Sequence, residues 1–338
     1  MSATLNVGLI GTGRIGKVHA EHLAHRIPRV KLSVISDMDE ASAKTCAEKL
    51  GVHKVAKDYK QVLQDPAVNA VVICTPTDTH AQLIEEAAVA GKHIFCEKPI
   101  AQTLPKIDRA VGAVKKAGVK LQVGFNRRFD PNFARAKQAI ASGEIGELHL
   151  LHIISRDPGP PPISYVKVSG GIFLDMTIHD FDMARFLAGS EVTEVYTAAA
   201  VLVDPAIGEA GDLDTAMVLL TFENGEIGCI DNSRKAVYGY DQRVEALGSA
   251  GAVQVSNNYP NSAVISDAAN VKRDLPLNFF MDRYTESFMT EMNAFVSAVV
   301  ENTPVPVTGH DGRMAVVVGL AARKSYDEHR PVKISEIG

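Results

Sequence analysis

The chain has 338 residues, of which 46% are hydrophobic and 22% charged, and a formal net charge of −5. That length can bury more than one hydrophobic core, and the composition is that of a globular protein. The acidic balance and the lack of long basic runs exclude an extended nucleic-acid-binding surface. No run approaches the roughly 20 apolar residues of a membrane-spanning helix. The opening MSATLNVGLIGTG lacks a basic segment ahead of a long apolar run, so a cytoplasmic protein is expected. Cys46, Cys74, Cys96 and Cys229 fall singly, without the spacing of a zinc or redox motif, and read as reduced structural thiols.

Through residue 124 the pattern alternates. LNVGLI reads as a buried strand, followed by a glycine turn and a helix through Arg26; VKLSVIS is the next strand, and DEASAKTCAEKLG a helix closed by Gly51. DYKQVLQD predicts a short helix, NAVVICT a strand, HAQLIEEAAVAGK a helix, HIFCE a strand, LPKIDRAVGAVKKAG a helix and VKLQVGF a strand. Short, continuously apolar strands alternating with amphipathic helices imply a parallel sheet covered on both faces. From residue 125 the rhythm changes. PNFARAKQAIASG reads as a helix, ELHLLHIISR as a long strand, DPGPPP as a stiff loop, and GGIFLDMTIHDFDMARFL as one apolar helix carrying acids and an imidazole. EVTEVYTAAAVLV, TAMVLLTFENGEIGCIDNSR and QRVEALGSAGAVQVS predict strands, with a hairpin at FENGEI where Asn-Gly permits positive φ at both central positions. Two helices, over 283–302 and from DGRMAVVVG onward, complete the chain. The expected fold is α/β: a parallel N-terminal domain over 1–124, then a mostly antiparallel sheet with helices on one side over 125–338. The final helix is free to pack back on the first domain.

Gly11-Thr12-Gly13-Arg14-Ile15-Gly16 fits G-x-G-x-x-G between a strand and a helix, the context in which the pattern binds a dinucleotide. The first glycine makes the tight turn, the second admits the pyrophosphate, the third allows close helix–strand packing, and the helix N-terminus meets the phosphates. Asp37 ends the second strand, at the distance where a carboxylate accepts from a ribose hydroxyl and repels a 2′-phosphate. The pattern predicts NAD, although Asp37 or Asp39 would equally serve as a helix N-cap.

Ligands of an open α/β sheet gather at the carboxyl ends of its strands. Two further strand ends carry chemistry: CTPTDTH, with Thr75, Pro76 and His80, and CEKP, with Glu97 and Lys98. An ammonium there can bind a reacting oxygen or relay a proton. On one continuous helix Asp175 and His179 share a face, so the carboxylate can support the imidazole as a general base, or merely form a salt bridge with it.

With CEKP, GFNRRFD and GGIFLDMTIHDFDMARF together, and GTGRIGKVHA, VVICTPTDTH, SRDP and YGYDQR in order, the chain resembles the glucose–fructose oxidoreductase, inositol dehydrogenase and MocA family over essentially its whole length. Within that family it is most similar to the bacterial inositol 2-dehydrogenases. The resemblance implies a Rossmann domain followed by an α/β domain whose large open sheet makes oligomer contacts, with a homotetramer favoured. It implies NAD-dependent oxidation of a cyclic polyol, myo-inositol foremost, with scyllo-inositol or a pyranose as alternatives. It places catalysis on Lys98, Asp175 and His179, and it sets Asn126, Arg127, Asp157 and Tyr240 near the substrate or nicotinamide. It also implies a cis peptide before Pro99.

In the mechanism these residues suggest, His179 is the base, Asp175 steadies it and Lys98 holds the reacting oxygen or joins the proton relay, so that the first transfer falls to His179 or to Lys98. Arg128 and Asp182 are assigned structural hydrogen bonds. No metal is expected: His19, His22 and His25 recur along one helix with packing or solvent roles, and the acids around His179 lack zinc-ligand spacing. A non-catalytic NAD-binding regulator is the competing class, and a transhydrogenase with retained NADP a third. Neither nucleic acid nor membrane is expected as a partner.

Overall fold

The computed structural model describes residues 4–338. Two compact units divide the chain: one runs through Phe129 and takes up Glu286–Val316, and the other comprises Asp130–Thr285 and Val317–Gly338. The first unit therefore includes a stretch well beyond the 124/125 division drawn from the sequence pattern.

The first unit follows the alternation of its sequence: β1 (Leu5–Ile10), α1 (Arg14–His25), β2 (Val30–Ser36), α2 (Glu40–Leu50), β3 (Val55–Ala56), α3 (Tyr59–Gln64), β4 (Ala70–Ile73), α4 (Thr77–Val89), β5 (His93–Glu97), α5 (Leu104–Ala117) and β6 (Leu121–Gly124). The six strands pair in parallel in the order β3-β2-β1-β4-β5-β6. Every residue of β4 and β6 is buried, as strands covered on both faces must be. Strand order reverses between β1 and β4, which makes their carboxyl ends the switch point where such sheets bind ligands. Leu9, Leu23, Val72 and Phe95 pack with Met292, Phe295 and Val296 of the returning stretch in one apolar core.

The second unit contains α6 (Pro131–Ala141), β7 (Leu148–Arg156), α7 (Ile163–Ser169), α8 (Gly171–Asp175), α9 (Ile178–Ala188), β8 (Val192–Ala200), α10 (Pro205–Glu209), β9 (Thr215–Phe222), β10 (Ile227–Ser233), β11 (Asp241–Gly248), β12 (Ala252–Val255), an exposed hairpin of β13 (Val264–Ser266) and β14 (Val271–Arg273), and α11 (Phe280–Arg283). The chain continues as α12 (Thr285–Val300), α13 (Gly309–Glu328) and β15 (Val332–Lys333). Seven strands run β12-β11-β7-β10-β9-β8-β15, antiparallel except where β7 meets β10. A buried ion pair between Arg283 and Asp130 joins the two ends of this unit's longer segment.

Three local expectations are corrected. GGIFLDMTIHDFDMARFL is not one helix. Gly170 and Gly171 both take left-handed φ, 90° and 79°, and a second interruption at Met176–Thr177 separates α8 from α9. A Cβ on Gly171 would lie 2.7 Å from Asp212 Oδ1, so its lack of a side chain is needed for space as well as for φ. The FENGEI turn places positive φ on Gly225 alone; Asn224 stays in the ordinary region, and the Gly225 N–H bonds Phe222 O. That is a type I turn followed by a left-handed glycine rather than a two-residue primed turn. The loop after SRDP contains α7, which the prolines concealed.

Candidate active site

In the first unit, the glycine turn after β1 meets the end of β4. Gly11 has φ 101°, and a Cβ on it would press to 2.6 Å from Cys74 O; one on Gly16 would sit 2.1 Å from Gly11 O. A Cβ on Gly13 would meet nothing within 4 Å. The first and third glycines are thus demanded by the protein's own packing. The second faces open space at the head of α1, the room a pyrophosphate needs. Thr12, Arg14 and Ile15 complete this turn.

Asp39, not Asp37, caps α2, accepting from Ala41 N and Ser42 N. Asp37 instead reaches the glycine turn: Oδ2 accepts from Thr12 N at 2.5 Å and Thr12 Oγ1 at 2.8 Å, and Oδ1 from Asp39 N at 2.9 Å. Burial raises its carboxyl, but the hydrogen bonds from Thr12 and Asp39 outweigh that and hold it below the usual carboxylate range. It is an ionised acceptor beside the phosphate turn, as an adenine-ribose contact requires.

Thr75 and Pro76 stand between β4 and α4. His80 is buried and uses both ring nitrogens on main chain, Nε2 to Thr75 O and Nδ1 to Pro99 O, each at 2.8 Å. Burial lowers its pKa, against the two carbonyls that favour the protonated ring. His80 thereby ties the end of β4 to the Glu97–Pro99 turn, where the Lys98–Pro99 peptide is cis. Asn126 and Arg127 are buried in a 3₁₀ turn directly after β6. Arg128 pairs with Asp311 at 2.9 Å within the same unit; against the upward push of burial, that guanidinium helps hold Asp311 at about 2.

Beneath Glu97 lies a cluster no motif announced. His19 Nε2 bonds Glu97 Oε1 at 2.8 Å and lies 3.9 Å from Glu291 Oε1, with Phe95 and Phe288 edge-on to the imidazole. These are, among the described residues, the one grouping with the donor types of a cation site. Burial first, and Glu97 second, push the Glu291 carboxyl well above the glutamate range. His22 is also buried and lowered to about 4, chiefly by desolvation, while His25 is exposed.

In the second unit, Asp157 follows β7, Asp175 ends α8, and His179 is half-buried in the first turn of α9. Because the helix breaks between the acid and the imidazole, their relation is not the regular one-turn spacing read from the sequence. Asp175 accepts from the Tyr165 hydroxyl at 2.8 Å and pairs with Arg234 at 3.0 Å; Arg234 also lies 3.6 Å from Asp157. Arg234 and Tyr165 escaped the sequence reading, since a lone arginine after a strand and a tyrosine after a proline loop carry no spacing signal. Thr177 and Asp180 are engaged with Asn232, at 2.6 and 2.9 Å. Tyr240 is buried edge-on to Tyr284, with ring centroids 6.0 Å apart, and Asp182 is buried.

Comparison with known proteins agrees with this architecture. The model of an oxidoreductase family with an NAD-binding Rossmann fold matches residues 5–125, and the GFO/IDH/MocA C-terminal domain matches 133–254. A myo-inositol 2-dehydrogenase of Thermotoga maritima is 49% identical, covering 98% of this chain and 99% of its own. An inositol 2-dehydrogenase of Rhizobium meliloti is 46% identical over 98% and 100%. The crystal structure of scyllo-inositol dehydrogenase from Lactobacillus casei with NAD(H) and scyllo-inositol superposes with a TM-score of 0.91 at 31% identity, covering 98% and 99%.

Proposed function

The chain belongs to the GFO/IDH/MocA oxidoreductase family, and from that premise we propose that it oxidises the C2 hydroxyl of myo-inositol to the ketone scyllo-inosose. It is an NAD-dependent dehydrogenase; when bound, NAD supplies the hydride acceptor. The observation that carries the cofactor side of this reading is the Gly13 opening beside an ionised Asp37. The amides of the Gly11–Gly16 turn would hold the pyrophosphate, and Asp37 would accept from the adenosine ribose. The substrate class rests on the two relatives at 46–49% identity whose names specify inositol.

The protein's own residues do the proton chemistry. His179 takes the proton from the reacting hydroxyl, Asp175 steadies the imidazolium, and Lys98 binds the reacting oxygen as its negative charge develops. Asn126, Arg127, Asp157 and Tyr240 orient the remaining hydroxyls. A buried polar group left without its partner costs about 1–3 kcal/mol, so one inverted hydroxyl changes the preferred substrate. The relative named scyllo-inositol 2-dehydrogenase, 37% identical, makes that isomer the second substrate to try.

NADH absorbance on mixing the protein with NAD and a panel of inositols and aldoses tests the reading. Myo-inositol is expected to give the fastest turnover, and no NADH from any polyol would refute it. His179→Ala should lower kcat by roughly 10²–10⁴-fold, the usual worth of a positioned base, with NAD affinity unchanged; wild-type turnover in that variant removes His179 from the mechanism.

The same proposal includes a homotetramer built on the sheet of the second unit, in a cytoplasmic setting that suits NAD and four unpaired cysteines. Among the described residues no helix is long and apolar enough to cross a membrane.

A further inference from the structure

Arg234 directly follows β10, and its backbone N–H is fixed on Asp214 O at 2.8 Å. Only 3% of the side chain is exposed. Its Nη1 lies 3.0 Å from Asp175 Oδ2 and 3.6 Å from Asp157 Oδ2. Two acids from different elements, one ending a short helix and one following a strand, therefore converge on one guanidinium. Its Nε and Nη2 are buried with no hydrogen-bond partner among the described residues. Withdrawing a guanidinium from water is costly, and here the two carboxylates offset it.

We propose that Arg234 is the positioning residue of the reaction, fixing the direction of Asp175 so that it can steady the His179 imidazolium, and keeping Asp157 in the same array. The inference rests on the catalytic reading of Asp175 and His179 given above. The groups facing Arg234 are Asp157, Asp175 and, through its charge, Asp212; Tyr165 donates to the far oxygen of Asp175. Asp212 sits at the head of α8, accepting from Ile172 N at 2.9 Å, so the helix that ends in Asp175 is anchored at both ends. Burial alone would lower the Arg234 pKa, yet the attraction of Asp175, Asp157 and Asp212 raises it. Without the guanidinium, Asp157 and Asp175 lose the cation that both of them meet. An Asp175 no longer held in direction steadies the imidazolium less. Lysine keeps the charge but not the planar, pre-organised guanidinium whose Nη1 meets both carboxylates.

The test uses the full-length enzyme with NAD and myo-inositol, comparing wild type with Arg234→Met and Arg234→Lys. Arg234→Met is expected to lower kcat/KM at neutral pH by about 10- to 100-fold, the equivalent of one charge-assisted hydrogen bond. Its acid limb should move upward by about one pH unit or more. NAD affinity should stay at the wild-type value, and Arg234→Lys should restore part of the rate and of the acid limb. A merely structural role would lower the melting temperature and leave the acid limb in place in both variants, which would overturn the proposal; if the Met variant does not fold, the limb of the Lys variant decides. An unmoved acid limb sinks the role of Arg234, whereas a wild-type enzyme inert to every inositol sinks the functional reading instead.

Discussion

Glu291 lies fully buried on α12, beside Glu97 and His19, with neither carboxyl oxygen hydrogen-bonded among the described residues. Desolvation and the neighbouring carboxylate together favour its neutral form. The native protein then keeps a proton that the unfolded chain has released above the ordinary glutamate range. Native Glu291 binds more protons than unfolded Glu291 across that interval, so stability is greatest below it and falls as pH rises toward the elevated native pKa. Glu291→Gln removes the proton requirement while keeping the shape. Thermal melts from about pH 5 to pH 9 should show a flatter dependence in that variant, and greater stability than wild type at the alkaline end. A slope unchanged from wild type would mean that Glu291 does not hold the proton. The sequence could not announce this cluster, because its members come from α1, the end of β5 and α12, and only the fold joins them. Asp37 was more legible: its place at the end of a strand suggested the ribose contact, but only the observed cap at Asp39 removed the competing role.

At the scale of elements, the stretch over 170–187 shows where periodicity misleads. Its apolar residues continue at near-helical spacing across the interruption, so the pattern reads as one helix. The break at Met176–Thr177 depends on what Thr177 finds outside the helix. Its hydroxyl donates to Asn232 Oδ1 on β10, and Asn232 in turn donates to Asp180 Oδ2 and Ser155 O. That link docks the head of α9, with His179 in its first turn, onto the sheet. Thr177→Val, close in shape, leaves a buried acceptor without its donor and should cost about 1–3 kcal/mol of stability. Chemical denaturation measures the loss directly; an unchanged midpoint would show that packing alone holds α9. The hairpin of β13 and β14 was missed for a related reason, since both strands are three residues long and wholly exposed, with no buried face to impose an alternation.

At the scale of the whole molecule, the open sheet of the second unit leaves an apolar surface uncovered by its own helices. Thr221, Ile227, Leu150 and Leu247 pair across successive strands, as do Tyr196, Leu219 and Cys229. Leu150, Tyr196, Met217, Leu219, Ile227 and Leu247 are each 42–51% exposed. Patches of this kind on a regular sheet are characteristic of interfaces between subunits. Leu219→Asp, at the centre of the face, should convert the proposed homotetramer to smaller species in light scattering, with secondary structure retained by circular dichroism. A wild-type mass for the variant would move the interface elsewhere.

The sequence by itself determined the parallel first unit, its glycine turn and the strand ends that carry Asp37, Thr75 and Lys98. Strands buried on both faces must be continuously apolar, and a phosphate turn needs glycine at fixed offsets, so both constraints are local and leave a local trace. Only the tertiary structure decided that residues 286–316 return to the first unit, that Arg234 gathers Asp157 and Asp175, and that His19 meets Glu97 and Glu291. Each of those depends on groups far apart in the chain being desolvated together, and desolvation is a property of the packed molecule that no spacing of residues records.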